Sequence, residues 1–208
     1  IAAASRAGNV KISKVVVGLG GPHFKLMSSK GSIAVSRADG EISPDDVNRV
    51  LDSARAVSIP ANREIVHTIP LVYTVDGEEK VKDPVGMRGV RLEAEAILVL
   101  GLSPVLRSVK KAVQEAGLEL ERIIYSPLAV SRAILTKKQK ELGSAVVDIG
   151  ATTTSISIWE ESDLKYASVV PVGSGKITDD VAIGLRVSPE ISERMKTEHG
   201  CCLSASVS

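Results

Sequence analysis

The sequence predicts a mixed α and β protein of two units, and three observations support this fold class. Apolar runs typical of buried strands occur at 14–19 and 144–149, and residues 90–100 alternate apolar and polar side chains as a half-buried strand does. Amphipathic helix patterns lie between these strands. The composition, 44% apolar and 25% charged, is close to the globular average and excludes a disordered chain or a coiled coil.

Local signals place the elements in order along the chain. Ser43 has the position of a helix N-cap and Pro44 that of the first helical residue, and apolar residues follow at helical spacing. Asp76-Gly77 is a hairpin turn signal. Further strands are predicted at 32–35, 63–75, 122–125, 155–159 and 164–170, and further helices at 103–116, 127–136, 176–185 and 189–198. The two units are predicted to join near residues 137–143.

The composition excludes several functional classes. With 26 basic and 25 acidic side chains the net charge is +1, which gives no electrostatic footprint for nucleic acid. One Phe, one Trp and three Tyr are too few for base-stacking platforms. His23, His67 and His199 have no metal-ligand spacing with the cysteines. No run of about 18 apolar residues predicts a membrane span.

The two ends of the chain predict a fragment of a longer protein. The chain begins at Ile1 without Met or a signal-peptide pattern, and residues 201–208 show no closing strand or helix. The adjacent Cys201 and Cys202 exclude a disulfide framework, which suits a reducing cytosol.

The segment 148–154, Asp-Ile-Gly-Ala-Thr-Thr-Thr, is the strongest candidate for chemistry. Small residues after the first strand of a hairpin let backbone N–H groups approach an anion, and threonine hydroxyls can donate to phosphate oxygens. An aspartate at the end of a strand can hold Mg²⁺ through water. The alternative is a plain hairpin whose threonines pack as strand residues. The candidate nucleotide-binding residues are Asp148, Gly150, Ala151, Thr152 and Thr153, with Asp148 as the metal residue.

Two later segments are weaker candidates for the same ligand. Gly173, Ser174 and Gly175 precede a predicted helix, where they can hold a second phosphate or a ribose; a glycine-rich helix start without a ligand is the alternative. Glu193 and Lys196 share a helix face at i, i+3 and can bond a ribose or an adenine edge; a solvated ion pair is the alternative.

Several segments together form a pattern that covers about residues 12–200. The most specific is 83–93, Asp-Pro-Val-Gly-Met-Arg-Gly-Val-Arg-Leu-Glu. The other segments are 15–23, 31–36, 59–67, 141–150 and 170–182. In their order and their amino-acid sequences these segments resemble the FtsA family of bacterial cell-division proteins, which belongs to the actin, sugar-kinase and heat-shock ATPase superfamily.

The resemblance implies part of an actin-like ATPase fold. Residues 31–115 would form the inserted subdomain typical of FtsA-like proteins. Residues 1–30 and 116–141 would belong to the first actin-like subdomain, and residues 143–208 would begin the second lobe.

The resemblance also implies a function. Such proteins bind ATP with Mg²⁺ between the lobes, polymerise, and tether the FtsZ ring to the cytoplasmic side of the cell membrane at the division site, together with other division proteins. ATP binding sets conformation and turnover is at most slow, so the protein is not expected to be a dedicated enzyme. Glu193 and Lys196 resemble the adenosine-side pair of heat-shock chaperones. The first phosphate loop, the FtsZ-binding subdomain and the C-terminal membrane helix are expected outside this chain, which alone should not bind ATP tightly.

One departure from the family pattern leaves alternatives open. The usual loop reads Asp-Ile-Gly-Gly-Gly-Thr, whereas Ala151 and Thr152 replace two glycines here. Alanine and threonine resist positive φ, so the affinity or the path of the loop is expected to change. Ala151 also fits a scaffold of type IV pilus assembly resembling PilM. A sugar or acyl-phosphate kinase is a third alternative, for which no catalytic base is evident.

Overall fold

The computed structural model describes residues 2–77 and 79–202. The strands of this part form a parallel pair, an antiparallel sheet of four and an antiparallel sheet of three. This is the mixed α and β architecture predicted from the sequence. Ile1, and residues 203–208 of the ending for which no closing element was predicted, lie outside the described residues.

Helices and strands follow one another in an irregular order. The strands are β1 Lys14–Leu19, β2 Phe24–Ala34, β3 Arg63–Val75, β4 Glu79–Val81, β5 Arg91–Leu102, β6 Glu119–Tyr125, β7 Ser144–Ile149, β8 Thr154–Glu160 and β9 Asp163–Val170. The helices are α1 Ala2–Gly8, α2 Pro44–Arg55, α3 Ser103–Glu115, α4 Ser126–Ile134, α5 Lys137–Leu142, α6 Gly175–Leu185 and α7 Pro189–His199.

The four-stranded sheet has the order β2-β5-β3-β4, with β5 paired on both sides. Strand β2 begins at Phe24, well before the predicted start at residue 32, because β5 supplies partners along its whole length. The alternation predicted for residues 90–100 ends at Glu95, and every residue from Ala96 to Gly101 is buried. The reason is that Val99 packs into a second core, so this half of the strand is covered on both faces.

Helix α2 covers one face of this sheet. Ser43 caps the helix and Pro44 starts it, as predicted, and Asp46 completes a capping box with Ser43. The helix lies so close to β2 that a Cβ atom on Gly31 would be 2.2 Å from the carbonyl oxygen of Val50. The core beneath the helix consists of Ile42, Val50, Tyr73, Val75, Leu92 and Ala94.

A second core connects all three sheets. The rings of Phe24 and Tyr125 lie 5.0 Å apart between the four-stranded sheet and β6, which pairs in parallel with β1. The members of this core are Phe24, Val99, Leu106, Tyr125, Leu128, Trp159, Leu164 and Ala167. The predicted junction at 137–143 forms helix α5, capped by Thr136, and the preceding helix ends at Ile134 rather than residue 136.

The three-stranded sheet β7-β8-β9 is a meander with tight turns. The sequence predicts β7 as a buried strand, and this is wrong for most of it: Val147 is 56% and Ile149 65% exposed, while Val146 is buried. Strand β7 lies at the sheet edge, and no described element covers the face that carries these two side chains. Helices α6 and α7 follow the sheet and contact each other.

Candidate functional site

A cleft of about 260 Å³ lies between the parallel strand pair and the β7–β8 hairpin. One wall is formed by the segments that follow β1 and β6, and the other by the hairpin. The lining residues are Gly20, Gly21, Ser126, Pro127, Asp148, Gly150, Thr153 and Ser155. A larger cavity of about 630 Å³ lies among β3, β6, α4 and the β8–β9 turn, and none of the predicted site residues lines it.

The loop of residues 150–153 leaves several hydrogen-bond donors available. The Gly150 N–H donates to the Thr153 carbonyl oxygen at 2.9 Å, which closes the turn. In the described part of the chain, the backbone N–H groups of Ala151, Thr152 and Thr153 have no acceptor. Consecutive unpaired N–H groups in a tight turn form the kind of concave donor site that binds phosphate.

The two residues that replace the family glycines fit this loop without backbone strain. No residue from Gly150 to Thr153 has a positive φ. The side chains of Ala151 and Thr152 are exposed at the tip of the turn, whereas Thr153 faces the cleft. Positive φ is the conformation that side chains resist, so this loop does not require glycine at 151 or 152.

Asp148 lies at the edge of the cleft, and its carboxylate is available to bind a ligand. No hydrogen bond or ion pair joins its side chain to another described residue. The described residues also contain no group of three or more His, Cys, Asp or Glu side chains able to hold a metal ion. A single carboxylate fits Mg²⁺, which keeps several waters and takes its remaining ligands from phosphates.

The turn at 173–175 packs directly against the loop. The N–H of Ser174 donates to the Gly150 carbonyl oxygen at 2.9 Å, and that of Gly175 to the Ala151 carbonyl oxygen at 2.8 Å. A Cβ atom on Gly173 would lie 2.4 Å from the Gly150 oxygen. Glycine is therefore required at 173, because two backbone segments touch there. The N–H groups of residues 174 and 175 are used in hydrogen bonds to the loop.

The structure places Glu193 and Lys196 at the contact between α6 and α7, outside the lining of the cleft. Their side chains form an ion pair of 2.6 Å. The pair is partly shielded from solvent: the Lys196 side chain is 18% exposed, whereas that of Glu193 is 50% exposed. Hydrogen bonds from Lys196 and from Thr178 hold the pKa of Glu193 below its usual range.

Sequence reasoning missed the wall of the cleft that Gly20, Gly21 and Ser126 form. Both segments follow strands, and those strands are parallel neighbours, so their carboxyl ends meet at one edge. The residues after such ends line the ligand crevice in many α/β proteins. A glycine pair after one strand and Ser126-Pro127 after another were available signals, but their meaning depended on the pairing of β1 with β6.

Family models match two parts of this chain. The model described as "SHS2 domain inserted in FTSA" matches residues 21–100, and "Cell division protein FtsA" matches residues 145–208. A third model, "Hsp70 protein", matches residues 106–167.

Curated relatives match nearly the whole chain. The cell division protein FtsA of Pseudomonas aeruginosa is 37% identical over 97% of this chain and 48% of its own length. For FtsA of Bacillus subtilis the identity is 39%, over 95% of this chain and 45% of the relative. Over nearly its whole length this chain is therefore similar to FtsA proteins. It spans about half the length of these FtsA relatives.

A solved structure has a fold similar to that of this chain. A chain of the "PilM-PilN type IV pilus biogenesis complex" superposes with a TM-score of 0.64, covering 94% of this chain and 54% of the other. At 16% identity the likeness concerns the fold alone. Together with the match of the "Hsp70 protein" model, this likeness confirms the predicted actin-like ATPase fold. None of the helices in the described residues is long and apolar enough to cross a membrane.

Proposed function

We propose that the native protein is an FtsA-type division adaptor that binds ATP with Mg²⁺ in the cleft described above. It forms filaments, binds FtsZ and other division proteins, and holds the FtsZ ring at the cytoplasmic side of the membrane. Within it, residues 31–115 are the inserted subdomain, residues 1–30 and 116–141 belong to the first actin-like subdomain, and residues 143–208 begin the second lobe. ATP sets the conformation of the protein, with at most slow turnover.

One observation supports this proposal above the others: a loop with unpaired N–H groups borders, through Gly150 and Thr153, the same cleft that the unpartnered carboxylate of Asp148 lines. The N–H groups are those of residues 151–153, and the carboxylate is that of Asp148. Helix α4 begins at the opposite wall, where no side chain caps its N-terminus. Unpaired N–H groups at a helix start add positive potential, which favours a polyphosphate between the two walls.

In the proposed complex the loop N–H groups of residues 151–153 bind phosphate oxygens. Asp148 holds Mg²⁺ through water, which neutralises phosphate charge. Residues 173–175 support the loop from behind through their bonds to Gly150 and Ala151. Ser126 and Thr153 offer hydroxyl groups from opposite walls.

The proposal predicts that Asp148→Asn weakens Mg²⁺-dependent ATP binding by the native protein by about tenfold or more, because the amide is a poorer partner for a hydrated cation. The measurement is titration of a fluorescent ATP analogue with and without Mg²⁺. Asp180→Asn is the matched control, since Asp180 is exposed on α6 and outside the cleft.

The same preparations, titrated with a C-terminal FtsZ peptide and an N-terminal pilus-protein peptide, separate an adaptor of division from a scaffold of pilus assembly. Binding of the FtsZ peptide together with filaments that need ATP supports the proposal. Unaltered ATP affinity in Asp148→Asn would contradict the cleft assignment. Binding of the pilus peptide alone would contradict the division role.

A further inference from the structure

The ammonium group of Lys196 has an acceptor for each of its three protons. Its Nζ atom lies 2.6 Å from Glu193 Oε2, 2.8 Å from Thr178 Oγ1 and 3.3 Å from the Ser174 carbonyl oxygen. A lysine ammonium has three donors and no acceptor. With these three contacts made, Lys196 has no donor left for a nucleotide.

Thr178 is the centre of this polar group, and its side chain is buried. Its hydroxyl donates a hydrogen bond to Glu193 Oε2 and accepts one from Lys196, so the hydroxyl is used both as a donor and as an acceptor. The backbone carbonyl of Thr178 accepts from the hydroxyl of Ser192, which is also buried, at 2.5 Å. Four polar residues thus hold the start of α6 against α7.

The group is connected to the candidate phosphate loop through one residue. Lys196 binds the carbonyl oxygen of Ser174, and the N–H of Ser174 binds the carbonyl oxygen of Gly150. The absence of side chains at Gly173 and Gly175 lets the turn touch the loop, where added Cβ atoms would lie 2.4 Å and 2.8 Å from loop carbonyl oxygens. A shift of Ser174 would therefore be passed on to the loop.

We propose that Lys196, held in place by Glu193 and Thr178, is a positioning residue for the phosphate loop and not a ligand of the adenosine. This inference rests on the proposed nucleotide function of the cleft. It replaces the role that the resemblance to heat-shock chaperones implied for Lys196. The charge of Lys196 acts on the Ser174 carbonyl and on Glu193, and its effect on the ligand passes through the backbone.

The two roles differ in the part of the nucleotide that senses the loss of Lys196. An adenosine ligand contributes to ATP binding and not to the binding of inorganic tripolyphosphate. A positioning residue for the phosphate loop contributes equally to both, because both present the same phosphate oxygens.

The experiment compares Mg²⁺–ATP and Mg²⁺–tripolyphosphate binding by the native protein and its Lys196→Met variant. We expect both affinities to fall by the same factor, about tenfold, for the loss of charge-assisted hydrogen bonds. Thr178→Val should reproduce this effect and Thr178→Ser should restore the affinity, because only the latter keeps the hydroxyl. Arg194→Met is the control on the same helix, where Arg194 forms an exposed ion pair with Glu198.

All titrations are run at a temperature well below the thermal unfolding midpoint of every variant. Each protein is then fully folded, so a general loss of stability does not change the dissociation constants. A fall in ATP affinity with unchanged tripolyphosphate affinity would overturn the inference. So would Thr178→Val binding as the parent protein does.

A second readout needs no ligand. Amide hydrogen exchange at Ser174 and Gly175 should accelerate in Lys196→Met, and an unchanged rate would overturn the inference. If the parent protein bound neither ligand, the proposed function would fail while this exchange measurement would still decide the positioning role.

Discussion

At the residue scale, Asp46 shows how one buried carboxylate organises a loop and a helix. Its side chain is fully buried and accepts hydrogen bonds from the backbone and hydroxyl groups of Ser36 and Ser43, and from Arg49 at 2.9 Å. Hydrogen bonds from these two serines hold the pKa of Asp46 far below its usual range. A carboxylate with this many donors stabilises the fold because its charge is satisfied from several sides.

Replacing Asp46 by Asn is expected to lower the free energy of unfolding by about 2 kcal/mol near neutral pH, because the amide cannot accept all of these bonds. Since the pKa of Asp46 is lower in the folded than in the unfolded state, its contribution is complete well above pH ~4 and is lost as the pH falls below that value. Urea unfolding at about pH 7 and about pH 3 should therefore show the difference between variant and parent shrinking.

Asp45→Asn is the control for this measurement, because Asp45 is exposed in the same first turn of α2. It should cost less than about 0.5 kcal/mol, the size of an exposed charge at a helix start. A loss in Asp46→Asn that did not depend on pH would contradict the role assigned to the carboxylate.

At the element scale, the contact between α2 and β2 depends on a strand residue without a side chain. The position where a Cβ atom on Gly31 would stand is 2.2 Å from the Val50 carbonyl oxygen and 2.6 Å from the Ala54 nitrogen. These are backbone atoms of the helix, which cannot rotate away as a flexible side chain can. The helix therefore contacts the sheet at Gly31, and its residues Val50 and Ala54, which face the sheet there, are fully buried.

Gly31→Ala is expected to destabilise the native protein by about 3 kcal/mol, since the helix must move off the sheet or the strand must bend. Thermal unfolding followed by circular dichroism would measure the change. The control is Gly184→Ala, inside α6, where an added Cβ atom meets nothing within 4 Å. That control should be neutral or gain up to about 0.8 kcal/mol of helix propensity, and an equally small effect at Gly31 would contradict the packing argument.

At the scale of the whole molecule, a few polar contacts join the sheets around the shared core. Lys82, which follows β4, pairs with Asp163 at the start of β9, and its ammonium group also donates to the Leu71 carbonyl oxygen at 2.7 Å. The N–H of Tyr125 donates to Nε2 of His67 at 3.0 Å, which connects β6 with β3. Burial, aided by the nearby charge of Arg132, lowers the pKa of His67 and keeps this imidazole neutral as an acceptor.

A double-mutant cycle of Lys82→Met and Asp163→Asn should give a coupling of about 1 kcal/mol, because Lys82 remains largely exposed and the pair is screened by water. Asp163→Asn should cost more than Lys82→Met, since the Asp163 side chain is only 14% exposed and also lies near Lys165. The readout is urea unfolding of the native protein. Additive effects would show that the pair does not join the two sheets energetically.

Local features of this chain could be predicted from the sequence because their causes lie within a few residues. The cap of α2 follows from Ser43, Pro44 and Asp46, and the Asp76-Gly77 turn adopts the positive φ values its residues favour. The first half of β2 could not be predicted, because its residues form a strand only through pairing with β5. The exposure of Val147 and Ile149 depends on what covers β7, which the apolar pattern does not indicate.

The candidate site divides in the same way. The sequence by itself determined the loop after Asp148 and the glycines at 173 and 175, because turn preferences and family motifs can be identified from a few neighbouring residues. Only the tertiary structure decided that Gly20 and Ser126 face that loop, since this requires β1 and β6 to be parallel neighbours. It also decided the surroundings of Lys196: its helix spacing shows that Glu193 is near, but its other two acceptors come from α6 and the preceding turn, 18 and 22 residues away along the chain.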